Sequence, residues 1–160
     1  VYDIDLSTIQ PIVAKPHFVD NVVPAKESLG VKIDEAFLGS CNNGRLEDLR
    51  VGAELIKGKK VAPEVRFLVV PASRQVYQDA MKEGLLDIFI EAGAIVMNPN
   101  CSVCWGSCQG VIGEGETLIS TGTRNFKGRA GHRDSFVYLA SAATVTASAI
   151  KGEIATADMV

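Results

Sequence analysis

The chain has 160 residues, with 16 Lys and Arg against 19 Asp and Glu for a formal net charge of −3, and 47% of it is hydrophobic. That size and composition predict one globular domain with a real core, and the 15 Gly and 6 Pro stay well below the disordered range. The acidic balance, with no basic run longer than Lys59-Lys60, argues against nucleic acid or an anionic membrane surface as partner.

The apolar stretches at 67–72 and 140–150 are too short or too rich in Ser and Thr for a bilayer span. Residues 1–20 carry acids and prolines in place of a basic and then apolar leader, so no signal peptide is expected and a cytoplasmic, reducing setting is. An opening Val1 in place of Met is expected of a processed chain or of a piece of a longer protein.

Pro11, Pro16 and Pro24 between short apolar pairs predict an extended, irregular lead-in over 1–30 that lies across a surface. A mostly apolar run at 33–38 predicts a strand; the polar loop 39–44 follows, and then Leu46, Leu49, Val51, Ala53, Leu55 and Ile56 recur at helical spacing. The unit repeats: a β-branched strand at 65–70 closed by Pro71, then Ser73 as N-cap of a helix with Val76, Tyr77, Ala80 and Met81 on one face. A helix over 85–92 stops at Gly93, a short strand spans 94–97, and 98–101 opens a Gly-rich loop. A strand at 117–121, a polar loop over 122–133 and a small-residue helix over 138–150 ending at Gly152 complete the chain. Alternating strands and helices predict an α/β fold, a three-layer α/β/α domain with a mostly parallel sheet. In such folds ligands gather at the carboxyl ends of the strands.

The four cysteines are Cys41, Cys101, Cys104 and Cys108. Cys101 and Cys104 form a Cys-x-x-Cys, and Cys41 ends the first predicted helix-linked strand, so three thiols can converge at one sheet edge. Thiolates suit iron–sulfur clusters and zinc because both favour soft, anionic ligands. Spacing alone leaves three readings open: a cluster, a structural zinc knuckle, or a redox dithiol beside an inert buried Cys41. In the next loop Arg124 and Arg129 lie five apart across Phe126 and Gly128, spaced so that a looped backbone aims both guanidiniums at one carboxylate ligand. Two solvated surface arginines are the bland alternative.

Three segments together resemble a known family. Gly39-Ser40-Cys41-Asn42-Asn43-Gly44-Arg45, Cys101-Ser102-Val103-Cys104-Trp105-Gly106 and Arg124-Asn125-Phe126-Lys127-Gly128-Arg129 resemble, in order and spacing, the two cluster-ligand loops and the substrate loop of the aconitase superfamily. Within it they are most similar to the isopropylmalate dehydratase and homoaconitase large subunits. Val70-Pro71-Ala72-Ser73-Arg74 and Tyr138-Leu139-Ala140-Ser141 extend the match along most of the chain. That family's large subunit is several hundred residues long, and the resemblance covers only its carboxyl-terminal, third domain, so residues 1–160 are expected to be one cluster-binding domain cut from a longer subunit.

The resemblance implies a 4Fe–4S cluster on Cys41, Cys101 and Cys104, with one iron left open as a Lewis acid. It implies a hydro-lyase that moves a hydroxyl between adjacent carbons of a malate-type acid, as in leucine biosynthesis, with homoaconitate or 2,3-dimethylmalate as alternative substrate types. Arg124 and Arg129 would bind substrate carboxylates; Arg45 would either join them or pair with Glu47 and Asp48. Asn43, Ser40 and Thr123 would flank the cluster, Thr123 standing where the family usually has Asn. Asn42 likewise replaces the usual Thr, and Ser102-Val103 is a mild departure between the ligands. Implied partners are the remaining large-subunit domains, a separate small swivelling subunit and a dicarboxylic or tricarboxylic hydroxy acid. The missing domains would supply the base, so this piece alone is expected to be inactive, to lose its cluster in air and to uncover an apolar face.

Cys108 is additional. It is expected to be a buried inert thiol, with three alternatives: a cap on the open iron, a disulfide partner of Cys101 or Cys104 in the cluster-free chain, or the fourth ligand of a non-catalytic zinc-binding module. His17 and His132 receive no role, Glu114 and Glu116 read as solvated carboxylates on a turn, and Trp105 is expected to pack beside the cluster loop.

Overall fold

In the computed structural model, which describes residues 2–160, the strand that organises the sheet is β3, Glu35–Gly39, all five of its residues buried. Ahead of it stand β1 (Ile12–Ala14) and β2 (Val22–Pro24); after it come α1 (Ser40–Asn43), α2 (Leu46–Ile56), β4 (Arg66–Val70), α3 (Arg74–Lys82) and α4 (Leu85–Ala92). The chain continues through β5 (Ile95–Val96), β6 (Thr117–Ser120), β7 (Phe136–Ala140) and α5 (Ala142–Lys151). Seven strands form one sheet in the order β2-β1-β7-β6-β3-β4-β5. β7 through β5 run parallel, and β1 pairs antiparallel with both β2 and β7.

Period-two alternation sends successive residues of β3 and β4 to opposite faces. Ala36, Leu38, Phe67 and Val69 meet α2, α4 and α5 through Leu49, Ala53, Ile56, Phe89 and Val145. Phe37, Leu68 and Val70 face the other way, onto Met97, Val103, Ile112 and Ala130. Both faces are covered, as a mostly parallel sheet requires. Helices α2–α5 share one side, and the layer opposite is made of the loops 97–116 and 121–135, which contain a single 3-10 turn at Ser102–Cys104.

Local chemistry starts and stops the helices where the sequence places it. The Ser73 and Ser141 hydroxyls accept from the Val76 and Thr144 amides at the N-termini of α3 and α5, and Gly93 and Gly152 close α4 and α5 in left-handed conformation. Small residues let α5 sit close: a Cβ on Gly52 of α2 would lie 3.1 Å from Thr146 Oγ1 and 2.7 Å from Leu38 Cδ2.

Two elements differ from expectation. Residues 138–140 belong to β7 and not to a helix, because Tyr138 and Leu139 pair with Ile119 and Ser120 of β6, and Leu139 and Ala140 with β1; Ser141 sets the helix start one residue later. The lead-in is not a strap lying on the surface. β1 and β2 extend the sheet past β7, a long-range pairing that the local pattern of prolines conceals. Tyr2, Ile4, Leu6, Ile9 and Ile12 around it stand exposed. Among the described residues no helix is long and apolar enough to cross a membrane.

Candidate metal and anion site

The candidate residues lie where the parallel strands end. β3 runs out at Gly39, and the chain turns into α1 through Ser40, a buried residue held at φ 71°. This tight exit is possible because Gly39 and Gly44 both lie against the Val70 carbonyl: a Cβ on either would come within 2.5 Å of it. Thr121, just past β6, ties the two strand ends together, its Oγ1 accepting from the Gly39 amide at 2.9 Å. Asn43 Nδ2 donates to the Thr121 carbonyl, so the loop bearing Cys41 is pinned to the end of β6.

The second cysteine loop reaches the same place. A Cβ on Gly122 would stand 3.6 Å from Cys104 Sγ, which puts that sulfur beside the residue following Thr121. A Cβ on Gly106 would fall 2.1 Å from the Arg129 carbonyl, so the Cys104 loop and the arginine loop are in backbone contact. Ile112 and Gly131 form a parallel bridge between the same two loops. Three of the polar candidates, Asn43, Arg45 and Thr123, line one cleft of about 500 Å³ together with Asn42, Glu47 and Asp48.

All four cysteines are free thiols; Cys41, Cys101 and Cys108 are exposed and Cys104 is half-buried. Among the described residues no group of three or more His, Cys, Asp or Glu side chains is drawn together around a common point, so Cys41, Cys101 and Cys104 share one sheet edge without being gathered. The donor set still fits a soft, thiolate-bound group: three free sulfurs in loops joined by Thr121 and Gly122, neighboured by amide and hydroxyl side chains.

The arginines are placed differently from one another. Arg124 is exposed and turns its Nη1 onto the Thr123 carbonyl at 2.7 Å. Arg129 is half-buried with its guanidinium 5.5 Å above the Phe126 ring, and its Nε is buried without a partner. Neither lines the cleft. Arg45 makes no ion pair with Glu47 or Asp48 among the described residues; instead its backbone amide donates to Asp48 Oδ2 at 3.1 Å, leaving its side chain to the cleft.

Several expectations are corrected. Cys108 is exposed, because its loop turns outward after Gly106, and Trp105 is 57% exposed and does not pack away. Glu116 is not a solvated turn carboxylate: it grips Arg66 with both oxygens at 2.9 and 2.8 Å, which holds its carboxyl below the usual range. His132, to which the sequence gives no role, is exposed and accepts the Asp134 amide on Nδ1 at 3.1 Å.

Sequence reasoning missed two residues. Asn125, fully buried, donates Nδ2 to the Lys15 and Phe18 carbonyls at 2.9 and 3.2 Å and so clamps the arginine loop to the lead-in. Glu35, also fully buried, takes Arg66 Nε on Oε2 at 2.9 Å. Burial pushes its carboxyl up to about 7 despite Arg66. The available signal was an acid inside a run otherwise read as a buried strand.

A family profile described as the aconitase family (aconitate hydratase) matches residues 25–152. The chain is 54% identical over 151 residues to the 3-isopropylmalate dehydratase large subunit 1 of Methanopyrus kandleri, covering 94% of this chain and 36% of that protein. It is 53% identical over 165 residues to the 3-isopropylmalate dehydratase large subunit of Aquifex aeolicus, covering 100% and 38%. The corresponding subunit of Geobacter sulfurreducens is 52% identical over 155 residues, covering 97% and 36%. The chain thus spans a little over a third of the length of the curated relatives it matches.

Proposed function

This chain belongs to the aconitase family, and from that premise we propose that it is the cluster-holding domain of a longer large subunit of an iron–sulfur hydro-lyase. The substrate is a malate-type acid of the 3-isopropylmalate class, interconverted with its 2-hydroxy isomer by dehydration and rehydration. The observation that carries the reading is the meeting of the Cys41 and Cys104 loops at the ends of β3 and β6, beside a cleft bearing Arg45, Asn43 and Thr123. Cys41, Cys101 and Cys104 would hold a 4Fe–4S cluster, which when bound supplies a Lewis-acidic iron to the substrate's hydroxyl and carboxylate.

The chain's own residues then have separable tasks. Arg45, without an ion pair among the described residues and facing the cleft, offers a planar donor fork to a carboxylate. Arg124 and Arg129 offer two more from the adjoining loop, Arg129 with an Nε that has no other partner. Asn43 holds the Cys41 loop to Thr121, and Thr123 brings a hydroxyl to the cleft wall. No histidine lines this cleft, so removal of the substrate proton falls to the rest of the large subunit or to a small-subunit partner, and the isolated chain binds without turning over. A cytoplasmic setting suits thiols that must stay reduced.

The test is anaerobic reconstitution with iron and sulfide, followed by visible absorption and iron and zinc analysis, on the wild-type chain and on Cys41→Ser and Cys108→Ser. Iron uptake with a brown chromophore that requires Cys41 and tolerates loss of Cys108 supports the proposal. Zinc bound through Cys108 with no iron uptake would replace it with a structural zinc module.

A further inference from the structure

Glu35 begins β3 on the side of the sheet that faces the cysteine loop, together with Phe37, and is 0% exposed. A carboxyl in such surroundings is costly unless it serves contacts on every side. On one side Arg66 of β4 donates Nε to Oε2 at 2.9 Å, and Glu116 fixes that guanidinium from beyond with two hydrogen bonds. Glu116 Oε2 also accepts from the Gly113 amide at 2.7 Å, so the Glu35-Arg66-Glu116 array reaches the far end of the loop that starts at Cys101.

On its other side Glu35 presents Oε1, which has no hydrogen-bond partner among the described residues. A Cβ on Gly110 would lie 3.5 Å from Glu35 Oε1, 3.5 Å from Ser102 Oγ and 2.2 Å from Leu68 Cδ1. The loop at Gly110 therefore lies against this carboxyl, and the Ser102 hydroxyl approaches the same glycine. Ser102 is itself fully buried, sits at φ 45°, takes its amide to Asn100 Oδ1 at 2.5 Å and donates Oγ to the Gln109 carbonyl at 2.8 Å. It lies between Cys101 and Cys104, so whatever moves Ser102 moves the pair.

We propose that Glu35 is a positioning residue for the Cys101–Cys104 loop: its buried carboxyl, braced by Arg66, governs through Ser102 and Gly110 how the two thiols are presented. The function of those thiols rests on the proposal above; the way the loop is held does not. When Glu35 is protonated, Oε1 carries the proton and Ser102 keeps its bond to the Gln109 carbonyl. When it ionises, Oε1 becomes a charged buried acceptor, and Ser102 Oγ, which approaches the same Gly110 position, is the loop hydroxyl that can turn toward it. Drawing that hydroxyl away from Gln109 opens the loop. The charged groups facing Glu35 are Arg66 from β4 and Glu116 from ahead of β6, and from the loop the Gly110 backbone and the Ser102 hydroxyl approach this region. The carboxyl sits at about 7, with burial the cause, so the switch between the two arrangements falls in the neutral range.

The experiment is a brief iodoacetamide pulse on the metal-free reduced chain at pH 6, 7 and 8, with labelling at each cysteine mapped by mass spectrometry. Cys41, on α1 and away from Glu35, is the internal reference for the pH dependence of thiol alkylation itself. In wild type the labelling of Cys101 and Cys104 relative to Cys41 is expected to rise about threefold or more across this range, the factor a single hydrogen bond's net contribution produces. Glu35→Gln, which keeps the shape and cannot ionise, is expected to hold the ratio at its pH 6 value throughout. Ser102→Ala, which leaves the array intact and removes the hydroxyl, is the second arm and is expected to flatten the profile as well. A wild-type profile retained in either folded variant, or a flat profile in the wild type, overturns the assignment. Failure of the wild-type chain to take up iron would count against the cluster reading alone, since the labelling comparison contains no metal.

Discussion

Gly106→Ala tests the contact that joins the second cysteine loop to the arginine loop. The residue sits at φ 73°, where a Cβ costs an alanine about 1–2 kcal/mol. That Cβ would also fall 2.1 Å from the Arg129 carbonyl oxygen and 2.9 Å from its carbon, and both partners are backbone. Reaching an ordinary contact requires separating the loops by roughly 1 Å, which strains the adjacent hydrogen bonds from the Ile112 amide to Ala130 at 3.1 Å and from the His132 amide to Ile112 at 2.9 Å. Weakening both adds about 1–2 kcal/mol, for a total of roughly 2–4 kcal/mol and a fall in Tm of about 6–12 °C for a domain of this size. Gly115→Ala is the matched control: its φ is 75°, but nothing lies within 4 Å of the added carbon, so it carries the backbone strain alone, about 3–6 °C. Thermal unfolding followed by circular dichroism, with urea midpoints as a check on two-state behaviour, separates the two. Equal losses in both variants would refute the close approach of the Cys104 loop to the arginine loop.

Asn125→Ala leaves the Lys15 and Phe18 carbonyls without their donor and is expected to cost about 1–3 kcal/mol; limited proteolysis should then cut between residues 14 and 22 faster than in wild type, while protection of that segment would count against the clamp. Glu35→Gln is expected to change the pH dependence of stability. The folded carboxyl sits at about 7 against an ordinary 4.5, so the folded state holds the proton more tightly. The associated stability is full below pH 4.5 and is lost as pH rises through about 7, by roughly 3 kcal/mol in wild type. A wild-type midpoint that does not fall relative to the variant between pH 5 and 8 would contradict the burial of this acid. Phe89→Ala empties a fully buried site whose ring meets Phe67 edge-on at 6.0 Å, and urea unfolding should register a loss of about 3–5 kcal/mol.

Much of this chain can be read locally. Helices α2, α3 and α4 follow from apolar spacing and from Ser73 and Gly93, because capping and amphipathicity involve residues only a few positions apart. The parallel core was legible in the apolar runs of β3 and β4, and the three motif loops in their residue types alone. The lead-in was not: β1 is a strand because Val13 and Ala14 find Ala140 and Leu139 across the sheet, and the same partners make residues 138–140 strand despite a helix-like run of small residues after them.

The site divides along the same line. The sequence by itself determines the chemistry on offer, thiols at 41, 101 and 104 and guanidiniums at 45, 124 and 129, since donor softness and charge are properties of side chains. Which of these meet is a matter of tertiary structure. Arg45, Asn43 and Thr123 share a cleft while Arg124 folds onto its own loop, and Glu116 leaves solvent for Arg66. Glu35 becomes a raised buried acid only because β4 and the loop over Gly110 close on it. Burial and backbone contact between segments distant along the chain have no local signature, and they decide which groups are held together and which of their charges water no longer screens.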